Sequence, residues 1–226
     1  MQAGVAVAGR HGPERVAGAR VIARMMLFIK HRLPWLWVLV DWTNARLFSL
    51  LHKKQMLVET DRAFSEFQLD GFRFAPLEAD DLPAFEALLK RQGEARLRYF
   101  KPHGFDREDL AQMLHNPAFL MFGVFRNQAT VGYFFLRCFW NRKCFVGRLI
   151  DQPQEGQGIG RVMNPIMYHV AWRSGFRCMT TISKENQQVI RSHRNNPHAR
   201  VIGELSNGYI WVEFVEVGDA SSGNLL

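Results

Sequence analysis

Three glycines lie close together in the segment EGQGIG, residues 155–160. An apolar stretch precedes them and an amphipathic stretch follows, which predicts a loop between a strand and the start of a helix. The first N–H groups of a helix have no partner within it, and the helix dipole favours an anion beside them. Because Gly156, Gly158 and Gly160 lack side chains, a pyrophosphate can approach the backbone there, and Arg161 adds a positive charge. The alternative is a flexible turn without a ligand.

Two well-known phosphate loops do not fit this segment. A Walker loop ends in Gly-Lys-Ser/Thr, whereas this chain continues with Arg161 and Val162. A dinucleotide fingerprint has the spacing G-x-G-x-x-G early in a βαβ unit. Here the spacing is G-x-G-x-G, and it comes late in the chain. The ligand of this loop must therefore be inferred from the strands and helices around it.

Residues 70–216 alternate between strand and helix patterns, which predicts an α+β fold. The predicted strands are 72–77, 119–125, 131–140, 144–150, 178–183, 201–205 and 209–215, the last two joined by an Asn207-Gly208 turn. The predicted helices are 78–93, 107–115, 158–175 and one that begins at 187. The glycine loop thus lies between the fourth strand and a long helix.

In this setting the loop resembles the coenzyme A loop of the GCN5-related N-acetyltransferase (GNAT) superfamily, written R/Q-x-x-G-x-G/A. The hairpin with Val131-Gly132 at its second strand resembles the strands before that loop. The segment from Asn186 to His193 is similar to the family's N-x-x-A-I-x-L-Y segment. The resemblance covers roughly residues 70–216. It implies the GNAT fold, a three-layer arrangement in which helices flank a mixed central sheet, here with an extra N-terminal helix.

The resemblance also implies the chemistry. Acetyl-CoA would be the co-substrate, no metal would be needed, and a substrate amine would attack the thioester directly. A backbone N–H near Leu149 and Ile150 would polarise the thioester carbonyl. The coenzyme-binding residues that it implies are Leu149, Ile150, Gln157, Gly158, Ile159, Gly160, Arg161 and Asn186.

Two positions depart from the family pattern. Glu155 stands where the loop usually begins with Arg or Gln, and we expect this carboxylate to point away from the pyrophosphate. His193 stands where the family has a tyrosine that commonly protonates the departing thiolate. A histidine with the ordinary pKa of about 6.5 can donate a proton near neutrality. His193 is therefore the predicted catalytic acid.

A base or a water relay must remove a proton from the attacking amine. Asp151 follows the strand that lines the expected cleft, although it can equally serve a turn. His103 lies in an aromatic and basic loop, YFKPHGF, and its alternative role is packing. Glu185 is a further candidate base.

The formal net charge of +8 is concentrated near the N-terminus. Residues 1–54 hold nine Lys/Arg and two acids, whereas the remainder holds twenty and nineteen. The main domain is thus nearly neutral and carries no helix-turn-helix or zinc spacing, which argues against a nucleic-acid partner. The three cysteines form no C-x-x-C pair, so a disulfide framework and a zinc site are not predicted. We expect them to be small buried side chains.

The chain outside the main domain divides into three parts. Residues 1–26 are expected to be a disordered tail or an upstream extension, and residues 217–226 a flexible tail. Residues 27–56 predict a helix whose apolar run is too short to span a bilayer. It either packs on the main domain or lies at a membrane surface, with its tryptophans at headgroup depth. The expected location is the cytoplasm, including peripheral contact of residues 27–54 with the inner face of the membrane.

The acceptor is the least defined feature. The segments 100–105, 181–193 and 204–213 are similar to those of acetyltransferases of surface-polysaccharide pathways, which acetylate nucleotide- or lipid-linked amino sugars. The expected function is acetyl-CoA-dependent N-acetylation of a primary amine, such as an amino sugar. The alternatives are another small amine, a peptide, or a non-catalytic protein that binds acetyl-CoA.

Overall fold

The computed structural model describes residues 34–100, 102–206 and 208–217 of the chain. The expectations for residues 1–26 and for the tail beyond residue 217 lie outside the described residues, as does Asn207 of the predicted turn. The chain forms two units, residues 1–43 and residues 44–226.

The described part of the first unit is helical. Helix α1 (Pro34–Leu51) begins in this unit and ends in the second. Val38, Leu39, Val40 and Trp42 are all exposed to solvent. Among the described residues, no helix is both long enough and apolar enough to cross a bilayer.

The second unit is built around a mixed seven-stranded sheet. The strands are β1 (Arg73–Pro76), β2 (Phe119–Arg126), β3 (Ala129–Phe139), β4 (Lys143–Ile150), β5 (Arg177–Ser183), β6 (Ala199–Glu204) and β7 (Tyr209–Phe214). Their order is β1-β2-β3-β4-β5-β7-β6. Neighbouring strands pair antiparallel except β4 and β5, which run parallel.

The remaining helices flank this sheet. They are α2 (Lys53–Glu66), α3 (Leu82–Lys90), α4 (Glu94–Leu97), α5 (Arg107–His115), α6 (Ile159–Arg173) and α7 (Gln187–Arg194). Apolar residues recur at helical spacing on α3, where Leu82, Phe85 and Leu88 are buried. The N-terminal helical region continues to Glu66, beyond the expected limit at residue 56, because Met56 and Ala63 contribute to the core.

Two hydrophobic cores lie on opposite faces of the sheet. Along β3, Phe134 and Leu136 join the core that includes α6, whereas Tyr133 and Phe135 join the core that includes α3. This alternation follows from the two-residue period of a strand. The result is the three-layer α+β arrangement predicted from the sequence.

The three cysteines lie side by side across three strands. Cys138 on β3 is opposite Cys144 on β4, which is opposite Cys178 on β5. All three are buried and free, as expected for small core side chains. Burial raises the pKa of the Cys138 and Cys178 thiols.

Candidate active site

The parallel strands β4 and β5 separate along their length. They pair from Lys143 to Phe145 with Arg177 to Met179, and no further pairing joins their C-terminal halves. A cavity of about 550 Å³ opens between these halves. The sheet therefore contains a gap large enough for an extended ligand.

This cavity is bounded by elements from both faces of the sheet. On one face its walls include Asn164 and Tyr168 of α6 and His193 of α7. On the other face they include Tyr99 and Phe100, which follow α4. Because both faces contribute, two reactants can approach the gap from opposite sides.

The glycine loop connects β4 to α6, as the sequence predicted. A short 3-10 turn (Gln152–Gln154) follows Asp151, and Gly158 occupies the N-cap position of α6. Gly156 has φ +78° and Gly158 has φ +87°, a left-handed conformation that strains any other residue. The space where a Cβ of Gly156 would lie is open to 4 Å. The loop thus exposes its backbone at the start of the helix.

Gly160 serves a different purpose from the other two glycines. A Cβ at this position would lie 2.9 Å from Nη1 of Arg148. The missing side chain therefore makes room for a guanidinium group beside the first turn of α6. The sequence analysis explained all three glycines by the approach of a phosphate, which did not anticipate this contact.

Arg148 is a functional candidate that the sequence analysis missed. It lies on the cavity wall, and its Nε donates a hydrogen bond to Oδ1 of Asn164 at 2.9 Å. Within the described parts of the chain, no carboxylate lies within ion-pair distance of it. Burial lowers the pKa of the guanidinium. The available signal was its position on β4, where Cys144, Val146 and Ile150 share the same face.

His193 lies close to Arg148 on the cavity wall. Its side chain is buried, and its Nδ1 has no hydrogen-bond partner. Burial, together with the positive charge of Arg148, lowers the pKa of His193 to about 4. The imidazole is therefore neutral at pH 7, so the ordinary pKa used in the sequence analysis does not apply here. The role of His193 as the proton donor stays a prediction.

Asp151 is held in a network at the end of α3. Its Oδ2 accepts a hydrogen bond from Nε of Arg91 at 2.6 Å, and its Oδ1 accepts one from Gln92 at 2.8 Å. The residue is buried and is not among those that line the cavity. This geometry favours the alternative role, in which Asp151 fixes the start of the loop.

His103 is packed away from the cavity as well. Its Nε2 lies 2.9 Å from the Tyr133 hydroxyl, and its Nδ1 lies 2.6 Å from the Gly104 carbonyl oxygen. Aromatic rings including Phe105 and Phe119 surround it. Burial lowers its pKa. Packing, the alternative to catalysis, therefore explains its position.

Glu155 was expected to point outward, but it lines the cavity rim. Its Oε1 accepts a hydrogen bond from Nη2 of Arg96 at 2.6 Å. The same Nη2 donates to the Ile150 carbonyl at 2.9 Å. Arg96 thus balances the carboxylate and joins the loop to the end of β4.

Leu149 and Ile150 both line the cavity, and their role in coenzyme binding stays a prediction. The N–H of Asp151 donates to the Val131 carbonyl on β3 at 2.9 Å. Because successive N–H groups of a strand point to opposite edges, the N–H of Ile150 is directed toward β5 and the gap. A backbone donor therefore faces the cavity where the sequence analysis expected one.

The other predicted coenzyme-binding residues are distributed around the loop. Asn186 lines the cavity and caps α7, its Oδ1 accepting from the Val189 N–H at 3.2 Å. Gln157 lies outside the cavity and bonds to Arg126 at 3.0 Å. Arg161 is exposed and lies outside the cavity lining. The structure thus brings only some of this set to the cavity, and Ile159 is buried at the start of α6.

Glu185 is the one of the three candidate bases that lines the cavity. Its Oε2 accepts from the Tyr99 hydroxyl at 3.0 Å and from Nη2 of Arg98 at 3.2 Å. These residues lie at the exposed rim on the α4 side. A carboxylate is therefore present at the exposed rim of the cavity.

Comparison with known proteins gives the fold and no closer relationship. No family model and no curated protein matches the sequence. Similar solved structures include the GNAT domain of S. lividans PAT, with a TM-score of 0.56 and 13% identity over 63% of this chain and 89% of that one. The PaiA N-acetyltransferase from Thermoplasma acidophilum, in complex with coenzyme A, has a TM-score of 0.54 and 12% identity over 63% and 98%.

A third similar structure is an acetyltransferase from Salmonella typhimurium that modifies the N-terminal serine of ribosomal protein L7/L12. It has a TM-score of 0.52 and 17% identity over 66% of this chain and 97% of that one. Among the described residues, no group of three or more His, Cys, Asp or Glu side chains is arranged to hold a metal ion. These similarities show that the chain has the GNAT fold, that of the GCN5-related N-acetyltransferases.

Proposed function

We propose that the chain is an acetyl-CoA-dependent N-acetyltransferase that acts on a primary amine. The observation that carries the proposal is the cavity between β4 and β5, which opens beside the glycine loop at the start of α6. The left-handed Gly156 and Gly158 leave the backbone accessible, which suits the diphosphate of the coenzyme. The gap suits the extended arm that carries the thioester.

Residues of the chain supply binding and polarisation. Bound acetyl-CoA would provide the activated acetyl group. The N–H of Ile150 faces the gap and is available to stabilise negative charge on the thioester oxygen. Asn186 caps α7 at the cavity wall and keeps that helix in place beside the ligand. The N–H of Ile150 would hold the reacting carbonyl in the opening between the strands.

The acceptor would enter from the face that carries Tyr99, Phe100 and Glu185. Of the candidate bases, Glu185 is the one with access to this mouth. It can take the proton of the attacking amine directly or through a water molecule. On the opposite face, His193 is the candidate that would contact the departing sulfur, as a neutral side chain.

We further propose an amino sugar, linked to a nucleotide or lipid carrier, as the acceptor. The resemblance of three segments to acetyltransferases of surface-polysaccharide pathways supports this choice. The aromatic Tyr99 and Phe100 at the acceptor mouth also provide flat surfaces for a sugar ring. Turnover assays with nucleotide-linked amino sugars, polyamines and a peptide with a free N-terminus distinguish this acceptor from the alternatives.

Contact with a membrane surface is a separate part of the proposal. Leu50, Leu51 and Val58 are apolar and exposed in the second unit, and Lys53 and Lys54 lie between them in sequence. Such a combination favours an anionic bilayer surface at the cytoplasmic side. Co-sedimentation with phosphatidylserine vesicles tests this contact. Replacing Leu50 and Leu51 by serine should reduce the bound fraction several-fold, and equal binding by both proteins would contradict it.

The central experiment is calorimetric titration of the full chain with acetyl-CoA. A Gly158→Trp variant should abolish binding, because the side chain would block the loop. Gly71→Trp is a matched control, since Gly71 also has a left-handed φ of +79° but lies just before β1, outside the glycine loop. Binding lost in the first variant and retained in the second supports the proposal. No binding by the unsubstituted chain would overturn it.

A further inference from the structure

On the side of the acceptor mouth, the sheet extends beyond the helices that pack on it. There α3 packs on β3 and α5 packs on β2, whereas β5, β7 and β6 lie further along the sheet. Cys178 and Ile182 of β5 belong to the core on the α6 side, so Arg177 and Thr181 face the other way. Both are exposed, and Thr181 also lines the cavity. The acceptor mouth thus continues into an open sheet surface.

Two aromatic rings lie on this surface. Phe145 of β4 is opposite Met179 of β5, and Trp211 of β7 is opposite Thr181, so these side chains share one face. The rings of Phe145 and Trp211 are nearly parallel, with 13° between their planes and 6.3 Å between their centroids. Both are half-buried, and Met179, on the strand between them, is fully buried. We call these two rings and Met179 the aromatic platform.

The platform contains a donor without an acceptor. The indole Nε1 of Trp211 is buried and has no hydrogen-bond partner among the described residues. A buried tryptophan N–H usually has a partner, which can be a protein group or a bound molecule. A ligand suited to this surface therefore combines a flat ring with nearby oxygen or nitrogen acceptors.

The charge around the platform is mainly positive. The strand positions that pair across this face carry four basic side chains and one acidic one, namely Arg137, Lys143, Arg177, Arg200 and Glu213. Glu213 pairs with Arg177 at 2.7 Å, and basic charge remains in excess. The surface therefore favours an anionic ligand.

The distance from the reaction centre suits a carrier group. Phe145 and Ile150 lie on the same strand, and the five steps between them correspond to about 17 Å. Gly147 lies between them and lines the cavity, so the surface is continuous. In an extended nucleoside diphosphate sugar, a ribose and a diphosphate separate the sugar from the base, which is a span of the same order. Aromatic side chains stack on any nucleobase, because each base has a flat π face.

We propose that the aromatic platform binds the nucleobase of a nucleotide-linked acceptor. The inference rests on the proposed function for the acceptor that carries the base. It selects the nucleotide carrier over the lipid carrier, because a lipid chain has neither the flat ring nor the polar acceptors that this surface favours.

The test is calorimetric titration of the full chain with uridine monophosphate, adenosine monophosphate, ribose 5-phosphate and decyl phosphate. Ribose 5-phosphate lacks the base, and decyl phosphate represents a lipid carrier. Trp211→Leu should weaken nucleotide binding by about 5- to 100-fold, the effect of losing one base–aromatic stack. Trp211→Phe should restore most of the affinity, because it keeps a ring. Trp140→Leu is the matched control, since Trp140 is an exposed tryptophan just after β3; its nucleotide binding should change by less than about twofold.

Phe145→Leu provides a second variant on the other ring of the platform. It should weaken nucleotide binding in the same direction as Trp211→Leu, and thermal unfolding shows whether each variant is folded. Each titration is repeated with saturating coenzyme A, which reveals any nucleotide bound in the coenzyme site.

Equal nucleotide binding with and without coenzyme A, together with its loss in Trp211→Leu, supports the proposal. Displacement of the nucleotides by coenzyme A, unchanged affinity in Trp211→Leu, or no binding of either nucleotide overturns it. Ribose 5-phosphate or decyl phosphate binding as tightly as the nucleotides also overturns it. The titrations without coenzyme A decide the role of the platform even if coenzyme A fails to bind the unsubstituted chain, which is the outcome that overturns the proposed function.

Discussion

Two charged side chains near the end of β4, three positions apart, have opposite surroundings. At Asp151, each carboxylate oxygen has a donor, from Arg91 and from Gln92. At Arg148, a half-buried side chain has one neutral partner, and the nearby His193 has an unpartnered nitrogen. Removing one partner of a paired, buried charge destabilises the fold, whereas a charge without a counter-charge is available to a ligand. This contrast reverses the ranking from the sequence, where Asp151 was a candidate and Arg148 was not considered.

The largest effect is expected from acidification around His193. The unfolded chain protonates this histidine from about pH 6.5 downward, whereas the folded chain does so only near its pKa of about 4. Its contribution to stability is therefore complete above pH 6.5 and is lost as the pH falls toward 4. Relative to His193→Gln, the unsubstituted chain should lose about 3 kcal/mol at pH 4.

Urea unfolding of both proteins at pH 7, 5.5 and 4 measures this difference. Other groups titrate in both proteins and cancel in the comparison. If the free energy of unfolding changed equally with pH in the two proteins, His193 would not be buried beside the Arg148 cation. Of the pair Arg148 and His193, only Arg148 would then remain without a partner of opposite charge.

The next largest effect concerns Asp151 and its partners Arg91 and Gln92. Arg91→Met should lower the free energy of unfolding by about 2–3 kcal/mol, because it leaves the buried Asp151 carboxylate without its cation. Arg98→Met is the control, since Arg98 and Glu185 are both 66% exposed and such pairs contribute about 0–1 kcal/mol. Urea unfolding measures the loss in the free energy of unfolding for each variant. Equal losses would show that the Arg91–Asp151 pair stabilises the fold no more than the exposed Arg98–Glu185 pair.

Urea unfolding of Arg148→Met tests how much the guanidinium without a counter-charge contributes to stability. The variant removes a half-buried cation together with one hydrogen bond to a neutral partner, so we expect its free energy of unfolding to stay within about 1 kcal/mol of the unsubstituted value. If the free energy of unfolding fell as much as in Arg91→Met, Arg148 would stabilise the fold and would not be a ligand-binding residue.

Most of the fold was predictable from the sequence because its signals are local. The apolar periods of β2 to β5 and of α6, with the glycines between them, place the loop correctly. No local pattern in the sequence indicates the gap between β4 and β5, because it depends on pairing between distant segments that stops after Phe145. The N-terminal helical region was predicted too short, because burial of Ala63 depends on tertiary packing.

The site was predictable in its backbone and less so in its side chains. The position of the loop follows from the order of elements, whereas the N–H near Leu149 and Ile150 was implied by the resemblance. The roles of Asp151 and His103 depend on partners roughly 30 to 60 residues away in sequence, which no local pattern reveals. Arg148 could be suspected only as a charged residue on an otherwise apolar strand face. The pKa of His193 required knowledge of its burial.

The smallest effect on stability is expected for Glu155→Gln, at the rim of the cavity. Its pair with Arg96 is partly exposed, and Arg96 keeps its bond to Ile150, so the free energy of unfolding should change by less than about 1 kcal/mol. Coenzyme binding should nevertheless strengthen several-fold, because a negative charge beside the proposed phosphate site is removed and Arg96 is left to attract it. Titration of the variant with coenzyme A at two salt concentrations measures this effect, which added salt should reduce. Unchanged affinity at low salt would place the phosphates away from the glycine loop and would contradict this part of the proposed function.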